Sequence, residues 1–318
     1  MTPLYQSELS RLYRGDCIPW LRTQPDRSLH AVVTDPPYGL VEYSEEQLVK
    51  RRTGRGGIWR IPPDFDGSQR APLPRFSALT DQQTQDLGKF FRKWGKALLP
   101  KLVPGAHVIV ASTPLLSHLL SHALAQTGLE RRGEIIRVVQ TFRGGDRPKG
   151  AEEEFPEVST IPRGAWEPWL LFRRPLEGTV AHNLRAHGTG ALRRPGRDAP
   201  FSDLIPSGRT PRRERALAPH PSVKPQAFLR QLVRASLPLG QGVVLDPFAG
   251  SGATLAAAEA VGYRSIGVEL DSDYAKLAVE AIPALATLRL EAALGVELAR
   301  AEGDVDAGAR ADGVSIAG

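Results

Sequence analysis

Two stretches of the chain combine acids, prolines, glycines and aromatics at spacings that could do chemistry. The first is Thr34-Asp35-Pro36-Pro37-Tyr38-Gly39, directly after the apolar run 30–34 (HAVVT). Two prolines fix φ twice and remove two backbone donors, leaving a rigid turn that presents acceptor carbonyls. Asp35 adds a carboxylate and Tyr38 a flat ring. Acceptors beside a stacking surface suit a planar group that carries an exocyclic amine. Such an amine is a weak nucleophile, because its lone pair is delocalised into the ring. Asp35 and the Pro36 carbonyl could accept its hydrogens and localise that pair.

The second stretch is Asp246-Pro247-Phe248-Ala249-Gly250-Ser251-Gly252-Ala253-Thr254, after the apolar run 242–245 and ahead of a helical pattern. Glycines let a ligand approach the backbone, and a helix N-terminus offers N–H donors. Glu269 follows 23 residues after Asp246, near the spacing of the acid that holds ribose hydroxyls in nucleotide-binding folds. Leu255 stands where a dinucleotide fingerprint needs its third glycine, and no Gly-Lys-Ser/Thr occurs, so neither that fingerprint nor a P-loop is met. An acid ahead of the loop disfavours phosphate and favours a cationic or hydroxyl-bearing ligand.

The elements that must carry these stretches are short strands alternating with amphipathic helices. Strands are expected at 30–34, 107–111, 134–141, 168–172, 242–245 and 264–269, each rich in Val and Ile and bounded by Gly, Pro or Asp. Helical faces are expected from Leu87, Phe90, Phe91, Trp94 and Leu98; from Leu115, Leu116, Leu119, Leu120 and Leu124; from Phe228, Leu229, Leu232 and Val233; and over 255–261. Continuous apolar strands alternating with helices predict a doubly wound α/β sheet covered on both faces. In such sheets ligands bind beyond the strand carboxyl ends, where both stretches fall.

Residues 173–215 and 41–80 break the pattern and read as irregular. The tail 286–318 is expected to be helical at first and then disordered. Ten Arg against four acids in 173–215, and seven basic residues against two acids in 50–75, point to a polyanion partner. Trp59, with Arg55 and Arg60 nearby, is a candidate DNA contact, whereas Trp166 and Trp169 read as core. A single Cys17 excludes a disulfide framework and a Cys-rich zinc site. No run reaches the length of a membrane span, and the first residues lack the apolar core of a signal peptide, so a cytoplasmic setting is expected.

Taken together, DPPY and DPFAGSG resemble the amino-methyltransferases of DNA that use S-adenosylmethionine. The order TDPPYG, a basic irregular segment, His220-Pro-Ser-Val-Lys-Pro225, DPFAGSG and then GVEL resembles the permuted class β arrangement, catalytic half first. The resemblance covers roughly residues 9–281. It implies a Rossmann-like methyltransferase sheet over 1–172 and 216–285, with 173–215 as a target-recognition insert. It implies Asp35, Pro36, Pro37 and Tyr38 as the catalytic turn. Asp16, His220, Lys224, Asp246, Phe248, Gly250, Gly252 and Glu269 would bind the cofactor, and Arg55, Trp59, Arg193, Arg194, Arg212 and Arg213 would touch DNA. Ala253 departs from the Thr usual at that position, although Thr254 follows.

The resemblance further implies double-stranded DNA as partner, base flipping, a bacterial, archaeal or phage setting, and no membrane or metal. A homodimer and a cognate restriction endonuclease on a separate chain are further candidate partners. Carbon-5 methylation of cytosine needs a Cys nucleophile in a Pro-Cys context, which Cys17 lacks. Asp at the head of the tetrapeptide is commoner among adenine enzymes, which favours adenine N6 over cytosine N4. Alternatives are a methyltransferase of RNA or of protein glutamine, whose relatives usually carry Asn in place of Asp35, and a catalytically dead DNA-binding protein on this fold.

Overall fold

A computed structural model describes residues 1–37, 80–139, 145, 147–148, 150–220 and 222–290, together with the backbone of a two-stranded hairpin at 64–65 and 68–69. In chain order the elements are β1 (Tyr5–Gln6), β2 (Ser10–Arg14), α1 (Cys17–Thr23), β3 (Leu29–Thr34), the hairpin β4 (Asp64–Phe65) and β5 (Ser68–Gln69), α2 (Asp81–Leu98), β6 (Leu102–Ala111), α3 (Ser117–Ala125), β7 (Glu130–Val138) and β8 (Trp166–Arg173). There follow α4 (Val180–His187), β9 (Leu204–Pro206), α5 (Arg212–Leu217), α6 (Gln226–Ser236), β10 (Val243–Asp246), α7 (Ala253–Ala260), β11 (Arg264–Glu269) and α8 (Ser272–Ala286).

Nine strands form one sheet in the order β1-β2-β11-β10-β3-β6-β8-β7-β9. From β2 to β6 every neighbouring pair is parallel, and β8 runs antiparallel between β6 and β7. The side chains of the central strands alternate between two cores. On β3, Val32 faces the core built with α1, α2 and α3, whereas Ala31 and Val33 face the core built with α6, α7 and α8. On β6, Val108 and Val110 go to the first and Ile109 and Ala111 to the second. This period-2 split is the physical content of the doubly wound expectation. The six expected strands are all present; residues 140–141, the end of one of them, lie outside the described residues.

The helices form where their apolar spacing meets a start signal. Thr80 caps α2 with a reciprocal capping box through Gln83, and Leu87, Phe91, Trp94 and Leu98 are buried along one stripe. Asp271 caps α8 by accepting from the backbone N–H of Asp273 and Tyr274. Helix α7 is buried almost throughout because its small Ala side chains let β11, α6 and α8 close on it.

Residues 173–215 are less irregular than their composition suggests. Thr179 caps α4, and Gly188 ends it in the left-handed conformation at φ 70°. Thr189 then bonds the Pro104 carbonyl, and Gly190 N donates to Gly105 O at 3.0 Å. Strand β9 pairs with the carboxyl end of β7, with Ile205 opposite Arg137. The segment is stitched along the whole height of the sheet, which its Arg, Gly and Pro content hides. Strands β1 and β2 are not expected from the sequence, because Arg11 and Arg14 interrupt the apolar signal and β2 is placed by pairing with β11 and β1.

Gly252 shows how tightly α7 and α8 are joined. Its φ is +78°, and an added Cβ would sit 2.4 Å from Ile282 Cγ1 and 3.2 Å from Ala278 Cβ. Gly252→Ala is expected to destabilise the fold by about 2 kcal/mol or more, combining backbone strain with overpacking. A Cβ on Gly250, at φ +50°, meets only the His220 ring at 3.4 Å. Gly250→Ala should therefore cost about 1 kcal/mol, from φ alone. Urea unfolding of the two variants measures the difference; equal costs would refute the packing account.

Candidate active site

Four parallel strands end side by side, and each carboxyl end delivers one acid. Strand β2 leads through Gly15 to Asp16, β11 ends at Glu269, β10 at Asp246, and β3 leads to Asp35. The alignment is fixed by register: Glu269 lies opposite Arg14, and Gly15 N donates to Glu269 O at 2.8 Å. The two chemically promising stretches, far apart in sequence, become neighbours. Thr34 Oγ1 donates to Asp246 Oδ1 at 2.6 Å.

Each acid is held differently. Asp16 is exposed and caps α1, accepting from Ile18 N at 2.8 Å. Glu269 is buried; its Oε2 accepts from Gly250 N at 2.6 Å and its Oε1 from Asp271 N at 2.8 Å. Burial raises its pKa, and the N–H donors of Asp271 and Gly250 work against that rise. Asp246 is 3% exposed and accepts from Thr34, from Thr254 and from Phe248 N. Burial pushes its pKa up to about 6, and the nearby Asp35 charge adds to the rise. Thr254, one residue after Ala253, supplies a hydroxyl to Asp246.

A cleft opens between these strand ends and the loop ahead of α6. It is lined by Asp35 and Pro36; by His220, Ser222, Val223 and Lys224; and by Asp246, Phe248, Ala249, Gly250, Ser251 and Thr254, among others. The His220 ring stands edge-on to Tyr274 at 4.3 Å, over the backbone of Gly250. Phe248 packs against Trp94 at 5.7 Å and Phe90 at 6.1 Å, making an aromatic wall on the α2 side. Asp35 is half-buried, and Lys224 Nζ reaches its Oδ2 at 2.5 Å. The same ammonium reaches Glu167 Oε1 at 3.1 Å, and Arg137 Nη1 reaches Glu167 Oε2 at 2.8 Å. Burial lowers the Lys224 pKa, but the two carboxylates outweigh it and the pKa ends above the ordinary lysine value.

The structure therefore brings together Asp16, Asp35, Pro36, His220, Lys224, Asp246, Phe248, Gly250 and Glu269. Pro37 follows on the described turn, while Tyr38, Arg55, Trp59 and Pro221 lie outside the described residues. Gly252 packs against α8, where an added Cβ would meet Ile282.

The arginines of 173–215 divide. Arg193 donates to Tyr263 Oη at 2.6 Å and its N–H to Ala235 O at 2.9 Å; Arg194 O accepts from Arg234. These contacts lie at the carboxyl end of α6 and just ahead of β11, about 16 Å along α6 from Lys224. Arg193 and Arg194, expected as DNA contacts, are thus at the opposite end of the sheet from Asp35. Arg212 and Arg213 are exposed on α5, at the cleft end of α6, since Glu214 of the same helix accepts from Gln226 N at 2.8 Å.

Glu167 and Arg137 went unnoticed in sequence. Alternation along β8 shows that Glu167 shares a face with Trp169, and a lone acid in an apolar strand was the available signal. Trp169 is core, as expected, while Trp166 is 38% exposed. Cys17 is buried, and burial pushes its thiol pKa up to about 12, so it is not a nucleophile near neutral pH.

Acids and glycines converging at the carboxyl ends of a parallel sheet define an α/β enzyme of the nucleotide-cofactor type. The chain belongs to the DNA methylase family of N6 and N4 amino-methyltransferases, whose model matches residues 29–280. Members of this class take the methyl group from S-adenosylmethionine. Among relatives, the Type II methyltransferase M.HindIII of Haemophilus influenzae is 25% identical over 293 residues, covering 84% of this chain and 93% of the relative. The DNA adenine methyltransferase YhdJ of Escherichia coli is 48% identical over 58 residues, 18% of this chain and 19% of that one. Among solved structures, the PvuII DNA methyltransferase (cytosine-N4-specific) superposes with a TM-score of 0.56 at 16% identity, covering 90% of this chain and 89% of that one. M1.HpyAVI, solved as an S-adenosylmethionine complex, superposes at 0.54 and 14% identity over 86% of this chain and 99% of that one. No described helix is long and apolar enough to cross a membrane.

The Asp246 carboxyl generates a stability prediction. Its folded pKa of about 6 lies above the ordinary 3.8, so the cost of burying the charge is absent below pH 4 and complete above pH 6. Asp246→Asn keeps an acceptor and removes the charge. At pH 8 the cofactor-free variant should be more stable than wild type by ~1–3 kcal/mol, the gain vanishing near pH 4. Calorimetry at both pH values tests this; an equal gain at both would refute it.

Proposed function

We propose that the chain methylates the N6 amine of adenine in double-stranded DNA, with Asp35, Pro36, Pro37 and Tyr38 as the catalytic turn. The observation that carries this is the Thr34–Asp246 hydrogen bond of 2.6 Å, which joins the amine-accepting turn to the cofactor loop. The residues of the cleft fit the cofactor. Glu269 offers a buried carboxylate to ribose hydroxyls, and Gly250, where a side chain would meet His220, leaves the backbone open to approach. Phe248 offers an apolar ring, and the acid Asp246 suits a sulfonium. Asp16 stands beside Glu269 as the outermost acid of the row.

S-adenosylmethionine supplies a methyl group on a sulfonium. A base inside a duplex cannot reach this cleft, so the target is flipped out of the stack. Asp35 and the Pro36 carbonyl accept the amine hydrogens, and Tyr38 stacks on the base. Bound there, the cofactor would supply its methyl group to the amine nitrogen, and the proton the amine gives up would pass to solvent. No covalent enzyme intermediate is needed, and the main contribution is orientation.

The order of the chain, with the strand of Asp35 well ahead of that of Asp246, supports the permuted class β reading. Residues 1–172 and 216–285 form the methyltransferase domain, and DNA reading falls to the 204–215 side of the insert, through Arg212 and Arg213, helped by Arg55 and Trp59. The Type II name of the Haemophilus relative fits a restriction–modification role, with any endonuclease on a separate chain. Adenine is favoured by Asp35 and by the local likeness to a DNA adenine methyltransferase. The second reading is cytosine N4, favoured by the fold neighbour of that specificity.

Asp35→Ala should abolish methyl transfer while binding of S-adenosylmethionine persists; near-normal turnover would sink the assignment. DNA methylated by the wild-type protein and digested to nucleosides should yield N6-methyladenine on mass analysis, and N4-methylcytosine alone would transfer the chain to the second reading.

A further inference from the structure

A line of four alternating charges runs from the catalytic turn to the edge of the sheet. Lys224 Nζ lies 2.5 Å from Asp35 Oδ2 and 3.1 Å from Glu167 Oε1. Arg137 Nη1 lies 2.8 Å from Glu167 Oε2. Arg137 and Glu167 are register partners on β7 and β8, so the sheet itself sets their pairing. Arg137 is 6% exposed, its guanidinium lies 5.3 Å from the Phe228 ring centroid, and every part of it is bonded. Nε donates to Ser207 Oγ at 3.0 Å and Nη2 to Gly208 O at 2.8 Å. Ser207 and Gly208 directly follow β9 and precede the exposed Arg209, Arg212 and Arg213.

Two physical consequences follow. A buried ammonium with one carboxylate would hold that carboxylate fast, because separating the pair leaves two uncompensated charges. Lys224 has two carboxylates. When Asp35 turns from Lys224 to the amine of a bound base, Glu167 still balances the ammonium. The second consequence is geometric. Lys224 is a long, flexible side chain, and its tip has a defined position only if something rigid holds it. Glu167 does so, because Arg137 grips its other oxygen and is itself fixed to the sheet edge.

We propose that Glu167 and Arg137 are positioning residues for methyl transfer: they anchor Lys224, and through it aim the Asp35 carboxylate at the target amine. This rests on the reading of Asp35 as the residue that accepts the amine hydrogens. It assigns a role to two side chains that stand behind the lining of the cleft. It also gives the post-β9 segment a second task, since its Ser207 and Gly208 lock Arg137.

The test is a double-mutant cycle on the full chain, read by single-turnover methyl transfer to saturating duplex DNA. Glu167→Gln, close to isosteric, should slow the chemical step about 10- to 100-fold, as expected when a reacting group is misplaced by a fraction of an ångström to an ångström. KM for S-adenosylmethionine should stay within about threefold, because the loss falls on the transition state. Lys224→Met should be slow as well. The double variant should be no slower than Lys224→Met alone, because Glu167 acts through Lys224. Arg137→Lys keeps a charge beside Glu167 but cannot make all three contacts, and should give a smaller loss in the same step. Near-wild-type rates in Glu167→Gln would overturn the proposal. So would multiplicative losses in the double variant, or a rate loss that tracks a lowered unfolding midpoint. Asp35→Ala is the separating arm. If it turns over normally, the reading of Asp35 fails; if it is dead while Glu167→Gln is normal, only the positioning proposal fails.

Discussion

The hydrogen bond from Thr34 to Asp246 is where the two halves of the chemistry meet. It spans 212 residues of sequence and joins the last residues of two adjacent parallel strands. Parallel strands in register must end at the same level, so whatever follows each strand is delivered to one rim. A rigid Pro-Pro turn follows β3, and a glycine loop follows β10. Neither could be moved by one residue without turning its side chains to the opposite face, because the strand period is two. The apolar split between the two cores enforces that register from both sides.

Charge is arranged around that bond with little waste. Asp246 is buried among donors from Thr34, Thr254 and Phe248, and Glu269 among the N–H groups of Gly250 and Asp271. Both have raised pKa values because burial disfavours the charged form. Asp35 and Glu167, by contrast, are paired with opposite charges: Asp35 with Lys224, and Glu167 with Lys224 and Arg137. An acidic rim suits a ligand that brings positive charge and hydroxyls, while the Lys224 ammonium balances the charge of Asp35. The arginines Arg212 and Arg213 stay outside, on exposed α5, where they remain solvated.

Much of the fold was legible because its signals are local. The strands 30–34, 107–111, 168–172 and 264–269 are short apolar runs with clear boundaries, and the α2 face shows as Leu87, Phe91, Trp94 and Leu98 at helical spacing. The motif residues around Asp35 and Asp246 were legible for the same reason, since prolines and glycines leave few alternatives for the backbone. Residues 173–215 were not. Their helix, edge strand and straps are stabilised by partners elsewhere, such as Gly105, Ala235, Tyr263 and Arg137, so composition alone suggests irregularity. Strand β2 escaped notice because its register is borrowed from β11.

By itself the sequence determined which residue types are available, the rigid turn at Asp35-Pro36-Pro37, the glycine loop after Asp246, and an alternating α/β chain to carry them. Only the tertiary structure decided which acids share a rim, that Lys224 pairs with Asp35, and that Glu167 and Arg137 stand behind it. It also decided that Arg193 and Arg194 lie at the far end of the sheet while Arg212 and Arg213 lie on the cleft side. The physical reason is range. Turn and strand preferences act over a few residues, whereas charge pairing and strand register act through space, between residues that sequence spacing does not relate.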